Sequence, residues 1–389
     1  MPRLLWLFAF INLIVGSGAF VMGGVLTSVA ADLNVSVAAA GQAMTAYALS
    51  TALLAPLLMM ATGAWPRRRA LLLALGLFCA GNVVCAMSAS LPMLLAGRVL
   101  MGLGAMFTPV AAGIAVAMVP PQQRGRALSL TFVGMSLSYV IGVPLGTWLG
   151  LAAGWQVPVG LFAALAAGTL ALVAWLVPAD IRAPGASFAG VGRLLGRRDV
   201  LGVLLTTLSY FVAIFIVFSF IGPVLQALVP MDRATQALTL ALFGVAGVAG
   251  TLTGGLANDR FGARRTLTVQ LAVLGSTMAV LPLTQGSWPA LVATLMTWGV
   301  AGFGMMVPQQ SRLAAMAPAQ APLLLSLNTS MLYMGTAAGA VVGGAAAARL
   351  GLVQLGWAAV PFVAGALAIL RLVHTSGPAV TFDREEKAP

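Results

Sequence analysis

Few residues in this chain could make or break bonds. It has one histidine, His374, two cysteines, Cys79 and Cys85, and eight acids. Nucleophilic catalysis needs a base within hydrogen-bond reach of the nucleophile, and a lone histidine in a terminal segment supplies no such pair. Cys79 and Cys85 lie in one apolar run and face different sides of a helix there, so neither a disulfide nor a metal site is expected. They read as small packing residues. The acids fall outside the apolar runs: Asp32 and Asp232 on one set of connections, and Asp180, Asp199, Asp259, Asp383, Glu385 and Glu386 on the other. No enzyme, cofactor or metal chemistry is expected.

What remains is polar chemistry inside apolar runs. Asn12, Ser17, Tyr47, Tyr139, Tyr210, Gln309 and Asn328 can each hydrogen-bond a polar substrate, or equally a neighbouring helix. Arg98 is the charge placed well inside a run, about 10 Å from its nearer end at 1.5 Å per residue. A charge near a bilayer midplane costs about 2.5–3.5 kcal/mol, so a polar cavity or partner is expected to face it. Snorkelling to headgroups is the competing reading. These eight residues are the candidate substrate pathway. Met305 and Met306 would suit an adaptable apolar surface, though packing serves them as well.

These residues must be positioned by membrane helices. The chain has 389 residues, 60% hydrophobic and only 7% charged, against about 25% charged in soluble domains. It cannot cover itself with polar surface, and lipid must do so. Twelve runs reach the roughly 20 residues that a hydrocarbon core requires: 4–26, 38–60, 70–89, 92–118, 127–150, 155–177, 200–228, 234–257, 266–284, 288–316, 322–348 and 352–373. The first run is too long for a signal peptide and is read as an uncleaved span.

Orientation follows from charge. Of the 20 Lys and Arg, 17 fall on one side of this layout, only Arg233 and Arg349 on the other, and Arg98 within a span. The positive-inside rule then puts both termini in the cytoplasm. The net charge of +12 is thereby explained without nucleic acid. Trp6, Trp65 and Trp175 fall near inner ends and Trp148, Trp155, Trp288 and Trp357 near outer ends, as headgroup anchors do; Trp298 sits mid-span.

The chain divides into two similar halves, 1–178 and 200–375, around a Gly-, Pro- and Arg-containing loop at 179–199, with a tail at 376–389. The turn Gly63-Ala64-Trp65-Pro66-Arg67-Arg68-Arg69 is echoed by Asp259-Arg260-Phe261-Gly262-Ala263-Arg264-Arg265. Repeats around a midplane site are a common plan of secondary transporters.

Over nearly its whole length the sequence resembles the major facilitator superfamily. Gly255 to Arg265, with Asp259, Arg260, Gly262, Arg264 and Arg265, looks like the family's gating loop, expected at the cytoplasmic face. There Asp259 can cap a helix, Gly262 permits a tight turn, and the arginines can hold helix-end carbonyls or lipid phosphates. Arg98 to Gly102 is similar to the R-x-x-x-G pattern of the fourth span. Gly134, Gly142, Pro144 and Gly146 resemble the antiporter-type motif of the fifth. In the family, spans two, five, eight and eleven line the junction of the halves. Gly250, Gly254, Gly335, Gly339 and Gly343 in spans eight and eleven would suit a rocking surface there.

The resemblance is strongest to bacterial drug:proton antiporters and sugar (arabinose-efflux-like) permeases, through Asp32 to Ser36, Thr45 to Leu49 and Pro120 to Ala127. It implies an all-α major facilitator fold of two six-helix bundles in the bacterial inner membrane. It also implies export of a drug, sugar or metabolite by alternating access, with proton antiport; an uncoupled facilitator is the alternative. The expected partners are a small-molecule substrate, membrane lipid and protons, with no nucleic acid, for a monomer. Two departures stand out. Ala19 occupies a first-span position where related antiporters carry an acid, and the first-half loop has Gly63 in place of its Asp. An anionic or polyhydroxylated substrate facing Arg98 is therefore expected over a cation.

Overall fold

The computed structural model describes residues 3–120, 123–179, 181, 196–317 and 321–373. His374, the tail at 376–389, and Asp180 with most of the 179–199 loop lie outside the described residues.

In hydrocarbon every backbone N–H and C=O must be satisfied within its own segment, which forces helix on each apolar run. Among the described residues twelve helices are long and apolar enough to cross a membrane. They are α1 (Arg3–Gly24), α2 (Val37–Ala61), α3 (Arg67–Ala86), α4 (Leu91–Ala117), α5 (Arg126–Ala153) and α6 (Gln156–Leu176), then α7 (Arg198–Phe218), α8 (Arg233–Phe261), α9 (Ala263–Thr284), α10 (Trp288–Met316), α11 (Leu323–Leu350) and α12 (Leu355–Leu372). The expected 200–228 span is broken: α7 stops at Phe218, and a separate short helix runs Ile221–Leu228. A matching short helix, Leu26–Asp32, follows α1.

The repeat extends to the irregularities. Both α4 and α10 break just after a glycine, Gly104 and Gly304. In α2 a wide π turn over Ser50–Leu54 precedes Pro56, and in α5 another over Ser138–Gly142 precedes Pro144. Proline has no N–H to give and its ring crowds the preceding carbonyl; a widened turn accommodates both. Arg68, at the start of α3, donates to the Ala174 carbonyl at the end of α6. Its repeat mate Arg264, at the start of α9, donates to the Arg371 carbonyl at the end of α12, at 3.0 Å. Each half thus closes its helix bundle with the same arginine on the same carbonyl-bearing end.

Two expectations change. Asp259 caps no helix: it lies in the last turn of α8, exposed, with its Oδ1 accepting from Asn258 Nδ2 at 3.3 Å. Gly262, at φ 79°, makes the turn into α9 by itself. The cap in this half belongs to Asp232, which accepts from the Thr235 amide at 2.8 Å at the start of α8. Hydrogen bonding from Thr235 holds its carboxyl below the usual carboxylate range.

The glycine stripes also do a different job. A side chain at Gly134, Gly142 or Gly146 would collide with Ala9, Ser17 or Val21 of α1, inside the same half. Gly250 and Gly254 face α10, and Gly335, Gly339 and Gly343 face α7. Small residues draw backbones together and fix them. They weld each half rather than lubricate the junction.

Trp6, Trp65, Trp148, Trp175 and Trp357 are exposed at helix ends, as an aromatic belt requires. Trp155 departs from this: it is buried, and its Nε1 donates to Asp32 at 3.0 Å.

Candidate functional site

The halves meet away from the arginine-rich ends of their helices. Gly222 sits against the backbone of Gly24, Gly41 against Phe220, and Gly244 against the Tyr139 carbonyl. The first part of α2 packs on α11, and the later part of α5 on the start of α8. Gln236 of α8 crosses this junction, donating to the Gly24 carbonyl at 3.1 Å while its own Oε1 accepts from Gln226 at 2.8 Å. At the other end, the Ala55–Ala61 stretch of α2 packs on its own half. The described contacts therefore close the arginine-poor end and leave the arginine-rich end of the junction open.

Arg98 is fully enclosed. Its Nε donates to the Ala43 carbonyl of α2 at 3.0 Å, Nη1 to Gly18 of α1 at 2.9 Å and Nη2 to Ala19 of α1 at 2.7 Å. The guanidinium also lies 4.7 Å from the centre of the Tyr47 ring. A planar fork with diverging donors suits three carbonyls on two helices in a way that an ammonium does not. The charge is spread over backbone dipoles and a ring face, and no ion pair to it occurs among the described residues.

The neutral candidates mostly tie helices together. Asn12 of α1 donates to the Thr131 carbonyl of α5 at 2.9 Å and accepts from Thr108 of α4 at 2.7 Å. In the second half Gln309 of α10 donates to Val203 at 2.6 Å and Thr207 at 2.8 Å on α7, and Thr207 donates to Asn328 of α11 at 2.6 Å. These are mates under the repeat: α1, α4 and α5 answer to α7, α10 and α11. Asn12 and Thr207 stand at the same offset from the start of their helices, as do Thr131 and Asn328. Ser17 bonds its own helix at Leu13, 2.6 Å away, and Tyr210 reaches the Met306 sulfur at 3.8 Å.

Tyr47 and Tyr139 are different, because they touch the other half. Tyr139 stacks on Phe20 at 5.1 Å and meets Phe303 of α10 edge-on at 4.8 Å. Phe20 in turn lies 5.9 Å from Phe215 and 6.2 Å from Phe218 of α7. Tyr47 meets Tyr333 of α11 at 6.4 Å. Each such pair contributes about 0.5–1.5 kcal/mol beyond burial. An aromatic cluster therefore straddles the junction. Phe20, Phe215, Phe218, Phe303 and Tyr333 were not among the sequence candidates. Their signal was present on α7, where Phe211, Phe215 and Phe218 recur at one-turn spacing on a single face.

Comparison with known proteins decides the family. The family description "Major Facilitator Superfamily" matches residues 8–230 and 201–388. The chain belongs to the major facilitator superfamily. It is 30% identical to "Inner membrane transport protein YdhP" of Escherichia coli (strain K12), over 92% of this chain and 91% of that one. It is 31% identical to the "Chloramphenicol resistance protein" of Streptomyces lividans, over 97% and 91%. The "Probable sugar efflux transporter" of Pasteurella multocida is 25% identical over 94% and 91%. Among solved structures, a bacterial Spinster homologue in an inward-facing, unoccupied conformation superposes with a TM-score of 0.78 at 16% identity, covering 95% of this chain and 96% of that one. A D-xylose–proton symporter gives 0.79 at 17% identity, covering 96% and 98%. This major facilitator is a multi-pass bacterial inner-membrane transporter of small molecules, not an enzyme.

Proposed function

We propose that this transporter exports a small, uncharged amphiphile with a flat or aromatic face by alternating access. The supporting observation is the aromatic cluster astride the junction, formed by Phe20 and Tyr139 with Phe215, Phe218 and Phe303. Aromatic faces bind apolar, planar groups at small conformational cost. Arg98 is spent on carbonyls, so an anion has less to gain from it than its position in the sequence implies. The relatives named for chloramphenicol resistance and sugar efflux favour an uncharged cargo and an outward direction.

The arginine-rich end faces the cytoplasm in this reading, by the same charge bias, and the open end is the loading end. The Gln236 bond to Gly24 then latches the periplasmic end, and must break when that end opens. Gly255, Asp259, Arg260, Gly262, Arg264 and Arg265 form the cytoplasmic gating loop, with Asp259 exposed and ready for the other half when that end closes. Proton antiport is what membership of the family suggests, acting in a monomer among lipid. The described spans carry their acids only near helix ends, at Asp199 and Asp259, so coupling weaker than in acid-bearing relatives is expected.

Uptake into inverted vesicles tests this with three probes: chloramphenicol, an aldopentose and ethidium. Chloramphenicol should accumulate, with Phe20→Ala and Phe215→Ala each lowering the rate about tenfold through lost stacking and burial. Ethidium accumulation that survives both substitutions would refute the uncharged-aromatic reading. Dissipating the proton gradient should cost less than half of the wild-type rate if coupling is weak.

A further inference from the structure

We infer that Arg312 is the centre of an oxyanion site, phosphate in chemical class, at the arginine-rich end of the second half. Its side chain is 6% exposed, and Nε, Nη1 and Nη2 are all buried without a hydrogen-bond partner. Other described arginines behave differently. Arg98 meets three carbonyls, Arg68 and Arg264 each cap a helix end, and Arg197 pairs with Asp199 at 2.7 Å. That last is the only ion pair among the described residues.

No described carboxylate can serve Arg312. Asp32 and Asp232 lie at the opposite end, Asp199 is engaged by Arg197, and Asp259 is exposed beside Asn258. The charge that acts on it is Arg264, of the same sign. A guanidinium does not escape by shedding its proton, and a buried charge is tolerated only when paired. Among the described residues the site holds two arginines and no acid, a combination that calls for an anion.

Its depth and shape narrow the class. Arg312 stands four residues before the end of α10 at Met316, about 6 Å along the axis, at the level where headgroups begin. A planar fork engages two oxygens of one group at once, which phosphate offers and a halide does not. Arg264 can share a doubly charged anion from its place at the start of α9. Both a lipid headgroup and free phosphate present this chemistry.

Thermal unfolding of the whole protein distinguishes the sources. Delipidated protein in detergent is titrated with inorganic phosphate, against sodium chloride at equal ionic strength. Separately, it is placed in nanodiscs of phosphatidylglycerol or of a phosphate-free diglucosyl lipid. Wild type should gain several degrees, saturably, from inorganic phosphate if the site takes the free ion. It should gain from phosphatidylglycerol over the glycolipid if the site takes headgroups. Arg312→Gln should lose the gain, Arg312→Lys should keep part of it, and Arg264→Gln should need severalfold more phosphate. Arg312→Lys and Arg264→Gln carry the test if Arg312→Gln does not fold. No gain from either source, an equal gain from chloride, or an undiminished gain in both Arg312→Gln and Arg264→Gln would overturn the inference.

Discussion

Arg98 and Arg312 are both buried arginines on mate helices of the repeat, α4 and α10, yet their surroundings are opposite. Arg98 has three carbonyls and the face of Tyr47; Arg312 has no hydrogen-bond partner among the described residues and feels a like charge, Arg264. The first is a finished structural device that ties α1, α2 and α4 together near the aromatic cluster. The second is an unsatisfied charge that ligand chemistry must complete. Burial of a charge therefore says little by itself; the list of partners says what the charge is for.

The largest expected effect is at Arg98. Arg98→Ala should remove three charge-assisted hydrogen bonds and lower stability by about 3 kcal/mol, with loss of transport. Arg98→Lys should restore under half of that, since one ammonium cannot reach three diverging carbonyls. Denaturant unfolding alongside vesicle uptake checks both. If Arg98→Ala folds as well as wild type but fails only in uptake, Arg98 is a substrate group and the contrast with Arg312 collapses.

A smaller effect of opposite sign is expected at Arg312. Arg312→Met, which fills the space with an apolar chain, should raise stability by about 1 kcal/mol in phosphate-free conditions. A loss of similar size to that of Arg98→Ala would mean that Arg312 already has its partners. The smallest effect sharpens the Arg98 side. Tyr47→Leu should cost about 1 kcal/mol by removing the ring face beneath the guanidinium, while Tyr47→Phe keeps the face and should cost little. Equal costs in melting measurements would show that the Tyr47 hydroxyl matters and the ring does not.

The candidate site was legible only in part. Arg98 stood out because one charge in an apolar run is conspicuous, and the Asn12, Gln309 and Asn328 positions were visible as polar breaks. Their roles were not visible, because a hydrogen bond to another helix and one to a substrate look alike in one dimension. Arg312 did not stand out in the sequence, for a related reason. It falls near the end of an apolar run, where an arginine ordinarily reaches water, and only the packed bundle shows that it does not. The glycines were read correctly as places of close approach, but which helix approaches is a tertiary fact.

By itself the sequence determined the twelve spans, the two halves and the charge asymmetry between their ends. Each of these depends on transfer of a residue between water and hydrocarbon, which is a property of that residue and its immediate neighbours. Even the mate arginines Arg68 and Arg264 could be paired from the repeated turn alone. The tertiary structure decided which half each glycine stripe welds and which aromatic rings meet across the junction. It also decided which of two buried arginines is satisfied. Those outcomes depend on the rotation of one helix against another. A turn of about 100° per residue carries a side chain from the junction to the interior of its own bundle without changing its depth in the membrane.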